Sequence, residues 1–162
     1  MYTIRRYYFC HFPVISFLRQ TFTIAAFHII NLLFVVAVIA GPEVSSPSNH
    51  VVSGGHGVEK SVDSSDRTKW CGLHEGRPVQ WMLKLSEDGG IVVKSYSIIS
   101  GNDVPTRDPK DWVLEGSQDG EYWTELDRRT GQSIFEKRLQ SRTFHFENDL
   151  VWQFYRFTFL KS

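Results

Sequence analysis

The chain has 162 residues, in which 18 Lys and Arg are balanced by 18 Asp and Glu. This length fits one ordinary domain plus an extension, and the balanced charge gives no basic surplus of the kind that nucleic-acid binding requires. Two cysteines are too few for a disulfide framework and show no metal-ligand spacing. The stretch 125–142 is locally basic, but acidic residues are interspersed, so it predicts a solvated face. Its basic residues are Arg128, Arg129, Lys137, Arg138 and Arg142, and its acidic ones are Glu125, Asp127 and Glu136. No nucleic-acid partner is therefore expected.

An apolar segment lies near the start of the chain. Residues 24–40 read "IAAFHIINLLFVVAVIA", and three arginines precede them. This pattern predicts an apolar helix, and residues 1–41 are assigned either to a signal peptide cut after Ala40 or to a signal anchor that holds 24–40 in a membrane. Both interpretations place the remainder on the non-cytoplasmic side, secreted or anchored. A third interpretation treats this start as foreign to the natural protein and makes the module cytoplasmic.

The sequence changes character after this segment. Ser, Gly and Pro are frequent between residues 41 and 57, which predicts a linker over 42–51 and a folded domain over 52–162. All five tryptophans follow the linker, and at inward strand positions they are expected in the core.

The folded part is predicted to consist of short strands. Apolar and polar residues alternate with period two in several segments, and Asp119-Gly120 is typical of a hairpin turn. The predicted strand segments are 79–85, 91–100, 112–117, 121–126, 142–146 and 154–160. No stretch of 57–162 sustains a helical period. This pattern predicts an all-β, antiparallel jelly-roll β-sandwich, preceded by the apolar N-terminal helix.

The order of motifs over 52–160 resembles the discoidin, or coagulation factor F5/8 type C, family, whose members are galactose-binding-like jelly rolls. The motifs are "VEKSVDSSDRTKW", "VQWMLKL", "RDPKDWVLEGSQDGEYWTEL", "RTFHF" and "FYRFTFL". The stretch "SGNDVPTRDPKDW" is more narrowly similar to modules attached to plant-type peptide:N-glycanases and to glycosidases acting on N-glycans. Family members usually continue into a strand with a Glu after the position of Leu160, so the closing strand of the jelly roll is expected to be missing here.

The resemblance implies a non-catalytic module that binds a glycan or glycoprotein. Two alternatives are a protein- or lipid-interaction module of the same fold, and a fragment of a larger peptide:N-glycanase-like enzyme. Catalysis by this chain itself is not expected. Its clustered carboxylates alternate with Arg107 and Lys110, whereas acid-base catalysis needs two positioned groups with separated pKa values.

The resemblance also places ligands on loops at one end of the sandwich, which match residues 52–57, 71–78 and 102–111. Amides, carboxylates and guanidinium groups suit sugar hydroxyls, and these loops contain no Trp or Tyr to stack on a sugar ring. The candidate ligand-binding residues are His56, Arg77, Asn102, Asp103, Arg107 and Asp108.

An alternative is that 102–111 is a loop that braces itself. Pro105 and Pro109 fix φ, Arg107 would pair with Asp103 or Asp108, and Asp108 would cap a turn starting at Pro109.

The resemblance further implies a structural cation in the loop that matches residues 63–68. Ca²⁺ prefers carboxylate, hydroxyl and carbonyl oxygens, so its candidate ligands are Asp63, Asp66 and Thr68. The alternative is a turn stabilised by its own Asp and Ser side chains. No other cofactor is expected.

Overall fold

The computed structural model describes residues 7–12, 43–47, 57–63, 67–74, 77–85 and 90–162, with the backbone alone described for 7–12, 73 and 74. This part of the chain is built from strands and two short 3-10 turns, Val58–Ser61 and Pro105–Arg107. The strands are β1 (Tyr7–Phe12), β2 (Glu43–Ser45), β3 (Trp70–His74), β4 (Val79–Lys84), β5 (Ser95–Ser100), β6 (Asp111–Ser117), β7 (Thr124–Arg129), β8 (Ser141–His145) and β9 (Phe154–Lys161). The predicted all-β class is confirmed.

The strands form two antiparallel sheets. One has the order β3-β1-β5-β8 and the other the order β2-β4-β9-β6-β7. β9 lies at the centre of the larger sheet, where it pairs with β4 on one side and β6 on the other. The predicted sandwich is therefore present, and β4 and β9, the strands that carry the clearest alternation, pair with each other in its larger sheet.

Alternating burial on β4 and β9 fills the space between the sheets. Val79, Trp81 and Leu83 point inward from β4 with less than 4% exposure, and their neighbours on the strand are half-buried. β9 supplies Tyr155, Phe157 and Phe159 in the same way. Burial of apolar surface is the main favourable term in folding, so these inward residues determine which face of each strand meets the core. The inward positions predicted for both segments are confirmed.

One tryptophan lies outside the core. Trp70, Trp81, Trp112 and Trp152 are buried, as expected. Trp123 is only half-buried, and the Arg156 guanidinium carbon lies 3.9 Å from the centre of its ring. The assignment of Trp123 to the core is therefore wrong.

The predicted strand 121–126 begins later than expected. Asp119 Oδ1 accepts the backbone N–H groups of Glu121 and Tyr122 at 2.8 and 2.9 Å. These bonds hold both residues in the turn, and β7 starts at Thr124. The turn at Asp119-Gly120 is confirmed, with Gly120 at a φ of +80°, a value that favours glycine.

Two strands precede residue 52, where the sequence placed the start of the domain. β1 pairs with β3 and β5 although it lies in the predicted signal or anchor segment, and β2 pairs with β4 although it lies in the predicted linker. The predicted apolar helix over 24–40 falls outside the described residues. Among the residues that are described, no helix is long and apolar enough to cross a membrane.

A buried polar network ties the two sheets together. Trp112 Nε1 donates to the Tyr96 hydroxyl at 2.7 Å, and that hydroxyl donates to Asp127 Oδ2 at 2.6 Å. Asp127 also accepts Arg129 Nε at 2.9 Å. Burial and the hydrogen bond to Asp127 raise the pKa of Tyr96, so its hydroxyl keeps its proton across the physiological range.

Three segments meet at one end of the sandwich. The register pairs His11 with both Trp70 and Ser100, and it pairs Ile99 with Ser141, so the start of β3, the end of β5 and the start of β8 lie together. Residues 67–69, 101–110 and 130–140 follow or precede these strand ends. We call these three segments the loop end.

Candidate functional site

The loop 101–110 has a defined backbone. Val104 is extended, Pro105 opens a single 3-10 turn, and Asp108 closes it with its N–H donating to the Pro105 carbonyl at 3.1 Å. Proline at the first position of such a turn is favoured because its φ is already fixed and its missing N–H has no role there. The predicted turn starting at Pro109, with Asp108 as its N-cap, is therefore corrected: the turn precedes Asp108.

Asp103 is the centre of an ion-pair cluster. Lys69 Nζ donates to Asp103 Oδ2, and it also donates to Asn102 Oδ1 at 3.1 Å. Arg107 Nη1 lies 3.5 Å from the same Asp103 oxygen. Partial burial alone would raise the pKa of Asp103, but Lys69 and then Arg107 outweigh it and the pKa of this carboxyl is lowered. Asp103 is therefore ionised at neutral pH.

Asp108 forms a second ion pair with a distant residue. Arg138 Nη1 donates to Asp108 Oδ1 at 2.8 Å while Nη2 donates to Oδ2, which is the two-pronged geometry that favours arginine. The pKa of Arg138 is raised by this hydrogen bond. The prediction that Arg107 pairs with Asp103 or Asp108 is confirmed for Asp103. The prediction that Arg138 belongs to a solvated face is wrong.

Hydrogen bonds to backbone groups of segment 130–140 fix it against the end of β5 and the loop 101–110. The Ser100 hydroxyl donates to the Lys137 carbonyl at 3.1 Å and accepts the Gln140 N–H at 3.0 Å. Further along, the Gln132 N–H donates to the Lys110 carbonyl at 2.9 Å. The loop end is therefore a braced surface built from three separate parts of the sequence.

The structure brings four of the six candidate ligand-binding residues together. Asn102, Asp103, Arg107 and Asp108 share the loop 101–110, and the Asn102 side chain is exposed. Arg77 is exposed in the connection between β3 and β4, and His56 falls outside the described residues. Residues 71–74, predicted as loop, belong to strand β3, which is a correction. The role of these residues in ligand binding stays a prediction.

Sequence reasoning missed Lys69 and Arg138, although each holds one carboxylate of the loop. Lys69 lies 34 residues from Asp103, and Arg138 lies 30 residues from Asp108. The only signal in the sequence was the presence of two acidic residues in a proline-rich loop, because such carboxylates need cationic partners once they are partly buried. The residues around Asp103 and Asp108 in the sequence do not indicate which cations pair with them.

The predicted calcium ligands are described only in part. The Thr68 hydroxyl donates to both oxygens of Asp63, at 2.9 and 2.7 Å, and Lys60 Nζ lies 3.8 Å from Asp63 Oδ2. Asp66 falls outside the described residues. Asp63 thus already has a cation beside it, and the described ranges hold no group of three His, Cys, Asp or Glu residues arranged for a metal. A structural Ca²⁺ at this loop stays a prediction.

Comparison with solved structures identifies the fold. The F5/8 type C domain of a Bacteroides fragilis protein superposes with a TM-score of 0.61 at 16% identity, over 74% of this chain and 81% of that one. The module CpGH89CBM32-5 of Clostridium perfringens, in complex with GalNAc-β-1,3-galactose, gives 0.60 at 15% identity over 74% and 84%. The family 32 carbohydrate-binding module of Streptococcus pneumoniae EndoD gives 0.57 at 14% identity over 77% and 86%.

Comparison by sequence gives a shorter match. The chain is 51% identical over 51 residues to a peptide-N(4)-(N-acetyl-β-glucosaminyl)asparagine amidase of Arabidopsis thaliana, and the match covers 31% of this chain. It spans 7% of the length of that relative. No protein-family model matches. The described strands therefore have the fold of F5/8 type C and family 32 carbohydrate-binding modules.

Proposed function

We propose that the chain is a non-catalytic module that binds a carbohydrate or glycoprotein through the loop end. The observation that carries the proposal is the arrangement of the loop 101–110. Its short 3-10 turn holds the exposed Asn102 amide, the Asp103 carboxylate and the Arg107 guanidinium group close together. Binding costs less when the contact groups are ordered in advance. Together these groups match sugar hydroxyls, because the carboxylate accepts hydrogen bonds, the guanidinium group donates them and the amide does both.

The structural neighbours support this choice of ligand class. One is in complex with GalNAc-β-1,3-galactose, one belongs to the family 32 carbohydrate-binding modules, and a further neighbour, at a TM-score of 0.54 and 17% identity, is a pectin-binding module. Members of this fold thus bind several different saccharides, so the ligand of this chain has to be inferred from its own loop residues.

The charges of the loop end argue against catalysis by this surface. Asp103 and Asp108 are each engaged by cations, from Lys69 and Arg138 among others. General acid-base catalysis needs a carboxyl group that holds or accepts a proton near neutral pH. The carboxyl group of Asp103 is unsuited to this role, because Lys69 and Arg107 lower its pKa.

The second candidate is a part of a larger peptide:N-glycanase-like protein in which this module accompanies a catalytic domain. The observation that favours it is the 51% identity over 51 residues to the Arabidopsis amidase. A transcript that joins this chain in frame to a Cys-His-Asp catalytic domain would support it. In that case the module would lie in the same compartment as the enzyme. If the apolar segment 24–40 is instead a genuine signal peptide or anchor, we expect the module on the non-cytoplasmic side, secreted or anchored.

A glycan array tests the proposed function. We expect the 162-residue chain to bind a restricted set of glycans, and we expect Asn102→Ala to weaken that binding about tenfold because an exposed contact amide is lost. Gln118→Ala, which removes an exposed amide from the turn between β6 and β7, is the matched control and should bind as the natural chain does. Absence of any glycan signal, together with binding to a protein or to anionic vesicles, would contradict the proposal.

A further inference from the structure

The N-terminal strand β1 joins two parts of one sheet. In the order β3-β1-β5-β8 it lies between β3 and β5, and it pairs with β3 from Tyr7 to His11. Its pairing with β5 is confined to its last two residues, His11 and Phe12. The position of β1 in the sheet therefore depends mainly on how firmly it is held to β3.

Cys10 and Cys71 are directly opposite each other in the pairing of β1 with β3. Residues that face each other in antiparallel strands have Cα atoms about 4.5–5.5 Å apart. Disulfide bonds join cysteines whose Cα atoms are about 4.4–6.8 Å apart. The backbone register therefore brings these two cysteines to the separation that a disulfide bond needs.

The state of Cys71 is a second, independent observation. Its side chain takes part in a disulfide bond, and within the described ranges there is no free cysteine. The chain contains two cysteines in all, so Cys10 is the other one that this sequence supplies. A sulfur of a second chain could not reach Cys71 without unfolding, because this residue is only 2% exposed. Burial thus favours a bond within one chain.

We infer that Cys10 and Cys71 form a disulfide bond that ties the N-terminal strand to the folded domain and steadies the loop end. Formation of the bond oxidises the two thiols and reduces a small disulfide, such as oxidised glutathione, to two thiols, so protons and electrons balance. The bond closes the long loop from residue 10 to residue 71. A disulfide of this kind stabilises a fold mainly by restricting the unfolded chain.

The link to the loop end follows from the neighbouring pairs. His11, the residue after the bridged cysteine of β1, pairs with both Trp70 and Ser100. β1 therefore sets the spacing between the strand that follows Lys69 and the strand that precedes Asn102. Lys69 Nζ donates to Asn102 Oδ1 at 3.1 Å across this spacing. Without the bond, β3 and β5 are freer to move apart and this contact is weaker.

The bond also restricts where the N-terminal segment can lie. β1 precedes the apolar segment 24–40 in the sequence, and β3 follows it. A single membrane crossing by 24–40 would put the two strands on opposite sides of the membrane, where they could neither pair nor be linked. The bridged chain therefore has both strands in one compartment, and it is incompatible with a signal anchor over 24–40.

Peptide mapping of the unreduced chain tests the inference directly. The 162-residue chain is equilibrated in a glutathione redox buffer, unfolded, treated with an alkylating agent and digested. We expect neither cysteine to be alkylated, and we expect the peptide that contains Cys10 to be linked to the peptide that contains Cys71. Alkylation of both cysteines, or a bond that joins two copies of the chain, would overturn the inference.

Thermal unfolding with and without a reductant measures the effect of the bond on stability. Reduction should lower the unfolding midpoint of the natural chain by about 10 °C, given the usual contribution of a disulfide and the usual entropy of unfolding. Cys10→Ser is the matched control, because it cannot form the bond and its midpoint should be the same with and without reductant. An equal response of the two chains to the reductant would overturn the stabilising role.

Amide hydrogen exchange of the natural chain tests the link to the loop end. On reduction we expect faster exchange in 7–12, 70–74 and 101–110, because β1 and the strands beside it open more often. Exchange in β6 and β9 should stay unchanged, since these strands belong to the other sheet. Unchanged exchange in 101–110, while that of 7–12 increases, would overturn the link to the loop end.

Discussion

Replacing Trp112 by alanine should lower the free energy of unfolding by about 3–5 kcal/mol, which is the usual cost of removing a buried aromatic side chain. Trp112 is fully buried, and its ring packs edge-on against Phe144 at a centroid distance of 5.1 Å. The substitution also removes the N–H donor of the Tyr96 hydroxyl, which bridges the two sheets. Urea unfolding followed by fluorescence and circular dichroism measures the effect.

Trp123→Ala is the matched control for that loss. Trp123 is half-buried, lies outside the core and packs beneath Arg156, so its removal should cost only about 1 kcal/mol, the range of a partly exposed cation–π contact. Equal destabilisation by the two alanine variants would contradict the assignment of Trp112 to the core and of Trp123 to the outer face.

Gly116→Ala should destabilise the domain by about 3 kcal/mol, the upper range for overpacking a well-packed core. A Cβ atom on Gly116 would lie 2.7 Å from two atoms of the Trp152 ring, which is closer than non-bonded carbons approach. That ring is fixed because Trp152 is buried and its Nε1 donates to Asn148 Oδ1 at 3.2 Å. Thermal unfolding of the variant should show a clear decrease in the midpoint.

Gly57→Ala separates this steric effect from the general consequence of adding a methyl group. The three atoms nearest to a Cβ at Gly57 all belong to the flexible end of the Glu59 side chain, which can move aside, and Gly57 has an ordinary φ of −63°. We expect a change of no more than about 0.5 kcal/mol, as for most surface substitutions. A Gly116→Ala midpoint as high as that of Gly57→Ala would mean that β6 and Trp152 do not pack as described.

Strands with clear alternation could be predicted from sequence because the signal is local. On β4 and β9 every second residue is apolar, and the core face of a strand imposes this pattern directly. β2 has only three residues, too few to show a period, and it is a strand because it pairs with β4. Pairing between residues distant in sequence depends on the whole fold, so no local pattern revealed it.

In the candidate site, too, sequence predicts what neighbouring residues determine and misses what residues distant in sequence determine. Asn102, Asp103, Arg107 and Asp108 could be grouped because they share one proline-stiffened loop. Lys69 and Arg138 could not be found, since only the meeting of strand ends brings them to that loop. The turn inside the loop was also misplaced, because both Pro105 and Pro109 are compatible with the start of a turn and only the tertiary structure selects Pro105.

The central claim is that the loop end, and not the opposite end, binds the glycan. Nitrogen-15 correlation spectra of the 162-residue chain, recorded while the tightest array ligand is added, test this claim directly. We predict that the backbone amide signals of Lys69, Asn102, Asp103 and Arg107 shift with ligand concentration while those of 118–123 stay constant. Shifts confined to 118–123 and 146–153, with the signals of 101–110 unchanged, would contradict the claim.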